Sequence, residues 1–342
     1  MPRIIVAMVA VRRALVITEP GRVAIEERPP LVAGRGEVLI RPRHVGVCGT
    51  DLELLHGTVD PGFVRYPLTI GHEWAGVVET VGAGVEGLAP GDRVVAEGIV
   101  PCGACPACRR GATNVCATYD EVGFTREGAA SDQILLPVRL VHRLGDDVTL
   151  LDGALVEPTA VVLQGLTKIG PRPGDEVLVL GDGAIALLVA HLVGLWSPAR
   201  IVVRGLRDEQ RDLAAAVGAR EFATAESGDQ FDLVIEAAGA PAAVLEALRR
   251  VRRGGRVLLL GYAGADERVP LPLDDVVNGD LTLCSSFGYT SSAWEAVVCL
   301  LNAGRITPAA IVTHRIPLDD HARAFAALAA PAGPRGKIIL DL

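Results

Sequence analysis

Residues 176–186 read EVLVLGDGAIA. Glu176–Leu180 is a continuous apolar run of strand length. Gly181-Asp182-Gly183-Ala184-Ile185-Ala186 follows it as G-x-G-x-x-A, at the mouth of a helix expected over Ala184–Leu195. Set between a strand and a helix, this spacing predicts a dinucleotide-binding turn. Gly181 would take the tight turn, Gly183 would let the backbone approach a pyrophosphate, and Ala186 would let helix and strand pack closely. The helix N-terminus adds free N–H donors and the positive end of its dipole. Asp182 departs from the pattern, because a carboxylate repels pyrophosphate; its side chain is expected to point away. An ordinary Gly-rich turn is the plain alternative.

Downstream, strands expected at Arg200–Arg204, Asp232–Glu236 and Arg256–Leu260 alternate with helices at Asp208–Val217 and Pro241–Val251. Repeated βαβ units require a parallel sheet covered by helices on both faces. The end of the second strand, IVVRGLR (201–207), bears on the choice of cofactor. An acidic residue there accepts from the ribose 2′-OH of NAD. Gly205 takes that place here, between Arg204 and Arg207. A missing carboxylate and two guanidinium groups suit a 2′-phosphate, so NADP is favoured. Asp208 and Glu209 nearby, and a reading of the arginines as solvated surface, keep NAD open.

Upstream, residues 11 to about 155 read as β-rich, with short apolar runs at Ala14–Ile17, Val38–Ile40, Ala75–Val81 and Arg93–Ala96 separated by Gly, Pro and Asp turns. The βαβ alternation ends near 290. Helix-like segments at 292–303 and 319–329 and a strand at Lys337–Leu340 complete the chain, and whether they pack on the first part is open.

Composition excludes several classes. A chain of 342 residues suggests two domains, and a hydrophobic content of 50% supplies their cores. The net charge of −8, from 33 basic and 41 acidic residues, and an aromatic content of 4% argue against nucleic-acid binding. Residues 4–11 are apolar after Arg3, but Arg12 and Arg13 end the run and no small-residue cleavage site follows. Met8 is a candidate true start, with residues 1–7 an extension. The longest apolar stretch, Val177–Trp196, is broken by Gly181, Asp182, Gly183 and His191, whereas a membrane span needs about 20 apolar residues. A cytoplasmic, reducing location without membrane partners is expected.

Seven cysteines lie at 48, 102, 105, 108, 116, 284 and 299. An odd number cannot pair fully within one chain, and a chain this long does not need disulfides. PCGACPACRRGATNVC (101–116) gives C-x2-C-x2-C-x7-C through Cys102, Cys105, Cys108 and Cys116. Four thiolates close a tetrahedral zinc site with no position left for substrate, so this site is read as structural. A ferredoxin cluster has different final spacing; free cysteines are the other alternative.

GVCGTD (46–51), GHE (71–73), the cysteine loop, VEP (156–158) and the Gly-rich turn occur in that order. Together they resemble the zinc-dependent medium-chain dehydrogenase/reductase family, which includes alcohol, sorbitol, threonine and glucose dehydrogenases. The resemblance covers the chain from about residue 11. It implies an α/β chain: a β-rich GroES-like catalytic domain (1–160 and 292–342) and a doubly wound parallel-sheet Rossmann domain (161–291). It also implies that Cys48 and His72 bind a catalytic zinc, with Glu157 at the third-ligand position, as in the polyol and sugar branch. Glu73 is a second candidate ligand. Asp51 would take the His72 N–H and fix its tautomer, and Thr50 would pass a proton from the substrate oxygen outward. Glu53 stands where alcohol dehydrogenases of the family often carry a histidine, and His56 lies three residues on. The outer proton path is therefore open, with Glu53 as acceptor or as a binder of a substrate hydroxyl.

The activity so implied is reversible hydride transfer between NADP(H) or NAD(H) and a secondary alcohol or ketone. The Glu157 and Glu53 pattern points to a polyol, sugar or cyclitol. Two zinc ions per chain and a homodimer or homotetramer would accompany it. A zinc-free quinone/enone reductase and a non-catalytic NADP-binding zinc protein are the alternatives. His44, His142, His191, His314 and His321 are read as structural or surface residues, and Cys284 and Cys299 as core thiols.

Overall fold

The computed structural model describes residues 11–264, 267–330 and 333–342. The reading of residues 1–7 lies outside the described residues, as does that of the apolar run 4–11 except for Val11.

The second half of the chain forms a six-stranded parallel sheet. Its spatial order is Glu221–Ala223, Arg200–Arg204, Glu176–Leu180, Phe231–Glu236, Val251–Leu259 and Thr282–Ser285. Numbered along the chain this is 3-2-1-4-5-6, so the strand order reverses beside Glu176–Leu180, where ligands of open α/β sheets bind. Successive side chains of a strand face opposite sides. Val177 and Val179 accordingly pack with Leu187 and Leu192 of the helix Ala184–Val193, while Leu178 and Leu180 pack with Val234 and Ala247 on the other face. Both faces being covered is why the strand reads as uninterrupted apolar sequence.

The first part builds a seven-stranded sheet ordered Val141–Arg143, Arg93–Ala96, Glu73–Val81, Glu37–Val47, Lys337–Asp341 and Val312–Pro317, with Ile134–Pro137 also on Glu37–Val47. A three-stranded sheet of Arg22–Arg28, Arg12–Glu19 and Leu68–Thr69 lies beside it. The chain end thus returns to the first part: Lys337–Asp341 is antiparallel to Glu37–Val47 and parallel to Val312–Pro317. The helix Val156–Ile169 runs across the expected boundary at 160/161 and shares one core with Ala75 and Val95 of the first part and Val177 and Leu187 of the second.

Several elements differ from expectation. The segment Asp208–Val217 is a 3-10 turn, Asp208–Gln210, followed by the helix Arg211–Ala216. The fully buried side chain of Gln210 sits at that junction. The strand expected at Arg256–Leu260 starts at Val251, directly after the helix Pro241–Arg250, and a bulge opposite Phe231–Leu233 absorbs the glycine pair within it. The edge strands Glu221–Ala223 and Thr282–Ser285 are too short to show periodicity. Cys284 is half-buried and Cys299 exposed, so the reading of both as core thiols is corrected; Cys299 lies on the outer face of the helix Ser291–Asn302, whose Val297, Val298 and Leu301 turn inward. Among the described residues no helix is long and apolar enough to cross a membrane.

Candidate active site and metal centres

The strand Glu37–Val47 ends at Cys48, which caps the helix Gly49–His56. Asp51 Oδ2 accepts the Cys48 backbone N–H at 2.8 Å, so the C-G-T-D spacing closes a capping ring that fixes the cysteine backbone. Gly71, with φ of +102°, makes the turn that delivers His72. A Cβ there would stand 2.8 Å from both the Ala130 amide nitrogen and Val45 Cγ1, so only glycine fits. Glu73 then opens the strand Glu73–Val81.

These turns bring Cys48 Sγ, a His72 ring nitrogen and a Glu73 carboxylate oxygen within 4.8 Å of one another. His72 Nδ1 faces Asp51 Oδ1 at 3.7 Å, and both atoms are buried without a hydrogen-bond partner. Burial alone would lower the His72 pKa, but Asp51, Cys48 and Glu73 carry it well above the imidazole range. Thr50 Oγ1 lies 3.8 Å from Cys48 Sγ. Glu157, in the first turn of Val156–Ile169, stands outside the 4.8 Å group. Burial pushes its carboxyl up to about 8, with the Glu73 charge adding and His72 and Lys337 opposing. Among the described residues no hydrogen bond reaches the Glu157 carboxylate. Glu73 is engaged: Lys337 Nζ donates to its Oε1 at 2.5 Å and also contacts Oε2. Glu53 is exposed on the helix Gly49–His56, near enough to act electrostatically on Tyr262. A thiol, an imidazole and carboxyl groups around orphaned buried atoms form a donor set suited to zinc.

Sequence reasoning missed three residues here. Lys337 is one of two lysines in the chain, and that rarity was the available signal. Glu121 lines a cavity of about 620 Å³ together with Phe63, Arg65, Tyr119, Thr125 and Phe287. Its carboxyl is pushed up by burial and drawn down by His72. Tyr289 Oη accepts the Gly98 and Ile99 N–H groups at 2.9 and 3.2 Å, placing a buried phenol in the field of Glu157 and Glu121.

The four clustered cysteines converge. Cys105 Sγ lies 3.5 Å from Cys108 Sγ and 3.9 Å from Cys116 Sγ, and Cys102 Sγ lies 4.0 Å from Cys108 Sγ. A tetrahedron with zinc–sulfur bonds of about 2.3 Å has edges of about 3.8 Å, so these spacings fit an ion and not a disulfide. Backbone N–H groups also point at sulfur, from Cys102 to Cys116 at 3.3 Å and from Cys105 to Cys102 at 3.3 Å. Such donors from Ala117 and Cys108 bring the Cys105 thiol down to about 6, towards the thiolate a metal needs.

At the Gly-rich turn, Gly181 has φ of +121°, and a Cβ there would come within 2.9 Å of the Ala237 carbonyl. Gly183 caps the helix Ala184–Val193 and faces open space, while Ala186 is fully buried. An open, donor-rich helix start fits a pyrophosphate. Asp182 turns to the next loop: its Oδ2 accepts the N–H groups of Leu206 and Arg207 at 2.9 and 3.1 Å, and its Oδ1 accepts from Arg207 Nη2 at 2.8 Å. Burial would raise Asp182, but these donors hold it below the usual carboxylate value. Arg204 turns to Glu246, 3.5 Å away, and to the Gly205 carbonyl. Both arginines flanking Gly205 therefore already have a carboxylate partner.

Residues 34–146 match the family model of the alcohol dehydrogenase GroES-like domain, and residues 181–303 that of zinc-binding dehydrogenases. The chain is 31% identical over 322 residues to an L-threonine 3-dehydrogenase of Anaeromyxobacter dehalogenans, covering 90% of this chain and 92% of the relative. It is 29% identical over 334 residues to the D-xylulose reductase A of Aspergillus niger, covering 91% and 92%. The solved alcohol dehydrogenase of Thermus sp. ATN1 superposes with a TM-score of 0.85 at 30% identity, covering 96% of this chain and 99% of that one. With both lobes matched in order by models of one enzyme class, the chain belongs to the zinc-dependent medium-chain dehydrogenase/reductase family, as a zinc- and nicotinamide-dependent alcohol dehydrogenase-like oxidoreductase.

Proposed function

We propose that this chain interconverts a secondary alcohol of the polyol, sugar or cyclitol class and its ketone, with NADP(H) preferred. The observation that carries the reading is the convergence of Cys48, His72 and Glu73 at one buried point, with the buried Glu157 carboxyl in the field of His72 and Glu73. Cys48, His72 and Glu157 would hold the catalytic zinc. Glu157 is favoured over Glu73 because its carboxylate is unengaged, whereas Lys337 already compensates Glu73. Zinc, when bound, polarises a substrate oxygen, and the nicotinamide carries the hydride. The remaining work falls to the chain. Asp51 orients His72, Thr50 takes and passes the hydroxyl proton, and buried walls around Tyr289 and Trp294 exclude water. Glu53 and Glu121 offer acceptors for further hydroxyl groups, which favours a polyhydroxylated substrate over a simple alcohol; the kinship to a D-xylulose reductase supports the same class.

Cys102, Cys105, Cys108 and Cys116 would hold a second, structural zinc. Gly181, Gly183 and Ala186 would cradle the pyrophosphate, and Arg207, next to Gly205, would turn from Asp182 to receive the 2′-phosphate. Arg204 contributes less, since it faces Glu246. We read the chain as two domains, 161–291 for the dinucleotide and the remainder for catalysis, and as a cytoplasmic homodimer or homotetramer.

A turnover panel of polyols, sugars and cyclitols against primary alcohols, each with NADP and with NAD, tests the reading. Turnover of primary alcohols alone would remove the substrate class, and clear NAD preference would remove the cofactor assignment.

A further inference from the structure

Gln210 is fully buried, and its side chain hydrogen-bonds to backbone groups of two distant residues. Its Nε2 donates to the carbonyl of Asp182 at 2.5 Å and to that of Arg335 at 2.8 Å, and its Oε1 accepts the Arg335 N–H at 2.7 Å. The amide pairs with residue 335 as one peptide group pairs with another. Its other N–H holds the carbonyl that lies between Gly181 and Gly183, at the centre of the Gly-rich turn.

The two ends of this clamp belong to different parts of the molecule. Asp182 follows the strand Glu176–Leu180 of the parallel sheet, and Arg335 leads into Lys337–Asp341 of the seven-stranded sheet. Among the described residues no hydrogen bond joins 181–183 directly to 312–341, so Gln210 supplies the link. Its far end is held firmly. The Gly336 N–H donates to Thr313 Oγ1 at 3.1 Å, and a Cβ on Gly336 would stand 1.9 Å from the Ile311 carbonyl oxygen. Lys337 comes next in the chain, and its ammonium holds Glu73 beside Cys48 and His72. An apolar side chain would fill the same buried space. It would not divide three bonds between the cofactor turn and the strand that reaches the metal centre.

Hydride transfer requires one dinucleotide to touch both places, with its pyrophosphate at the Gly-rich turn and its nicotinamide ring at the substrate beside the metal centre. A misplacement of about 1 Å in such an arrangement can cost about a hundredfold in rate. We propose that Gln210 is a positioning residue, which holds the dinucleotide turn at the distance from the metal centre that one cofactor molecule spans. It acts through Asp182 and Arg335 and not by touching the cofactor. The proposal rests on the hydride-transfer reading above, but not on the choice between NADP and NAD. Coupling between sites is reciprocal. A ligand that spans both parts must therefore tighten the clamp, whereas a fragment confined to the turn must not.

Calorimetric titration of the zinc-loaded, full-length protein with 5′-ADP, NADH and NADPH tests it. The first reaches the turn alone; the other two span both parts. Gln210→Met keeps the length of the side chain and removes all three bonds. Gln210→Glu keeps the acceptor for the Arg335 N–H and removes both donors. Each variant should lose about tenfold in affinity for the dinucleotide that the wild type prefers, while holding 5′-ADP within about twofold. Equal loss for dinucleotide and 5′-ADP, or no loss, would overturn the role of Gln210 and leave the hydride-transfer reading standing. A wild type that binds neither dinucleotide would overturn both. Hydrogen exchange of the Arg335 N–H in the wild type gives a second readout that needs no variant to fold. The preferred dinucleotide should slow it and 5′-ADP should not; equal slowing by both, or by neither, would also overturn the proposal.

Discussion

The carboxylate of Asp182 occupies the space that a side chain on residue 205 would need. A Cβ on Gly205 would stand 2.6 Å from Asp182 Cβ, 2.7 Å from its Oδ2 and 2.8 Å from Phe222 Cζ. The glycine is therefore imposed by packing as well as permitted by cofactor choice. Gly205→Ala should destabilise the protein by about 1–3 kcal/mol in urea denaturation. In an Asp182→Gly background the added cost should shrink, because two of the three contacts disappear. Equal costs in both backgrounds would show that Asp182 does not set the glycine.

Lys337 and Glu73 are 4% and 1% exposed at their side chains. Removing one member of such a pair strands a buried charge. Lys337→Met should cost about 3–5 kcal/mol in the metal-loaded protein, and adding Glu73→Gln should recover part of it. Unfolding midpoints of the two variants and the wild type decide this; a single variant as stable as the wild type would show the pair to be energetically idle.

Metal analysis of the purified chain should give close to two zinc ions. Cys105→Ser should lose one of them and lower the melting temperature. Cys48→Ala should lose the other and abolish turnover with the fold kept. Asp51→Asn keeps the shape of the group that faces His72 and should reduce metal affinity or activity by about 10–100-fold. A Cys105→Ser protein retaining both ions would remove the structural-site assignment.

His191 accepts the Thr307 N–H at Nε2, 3.1 Å away, and burial lowers its pKa against the opposing pull of Asp152. The folded protein holds the neutral ring more strongly than the unfolded chain does. That stabilisation is complete above the unfolded value of about 6.5 and is lost as pH falls through the folded value. The melting temperature should therefore drop on acidification from pH 7 to 5.5, and drop less in His191→Gln. Parallel profiles would exclude His191 as a source.

Local pattern revealed much of this molecule. The strands Glu176–Leu180, Arg200–Arg204 and Arg93–Ala96 fall at the residues expected, because turn residues bound them and apolar runs fill them. The four cysteines could be grouped because their ligand spacing is local. What pattern could not reveal are pairings across the chain. Glu73 meets Lys337 at a separation of 264 residues, and Gln210 meets Arg335 at 125. No periodicity encodes such contacts; they follow from the last strand entering the sheet beside Glu37–Val47. The partners of Arg204 and Arg207 were hidden for the same reason. A guanidinium read as free from sequence becomes half-committed once Glu246 and Asp182 arrive from other elements.

The scarcity of lysine has a practical consequence. Lys168 is exposed, whereas the Lys337 ammonium is sealed against Glu73. Of the two lysine side chains, amine-directed reagents should readily modify only that of Lys168, giving one side-chain handle beside the α-amine for a fluorophore or a surface tether. Slow labelling of Lys337 would then act as a clock, timing how often the buried amine comes free while the rest of the chain stays folded.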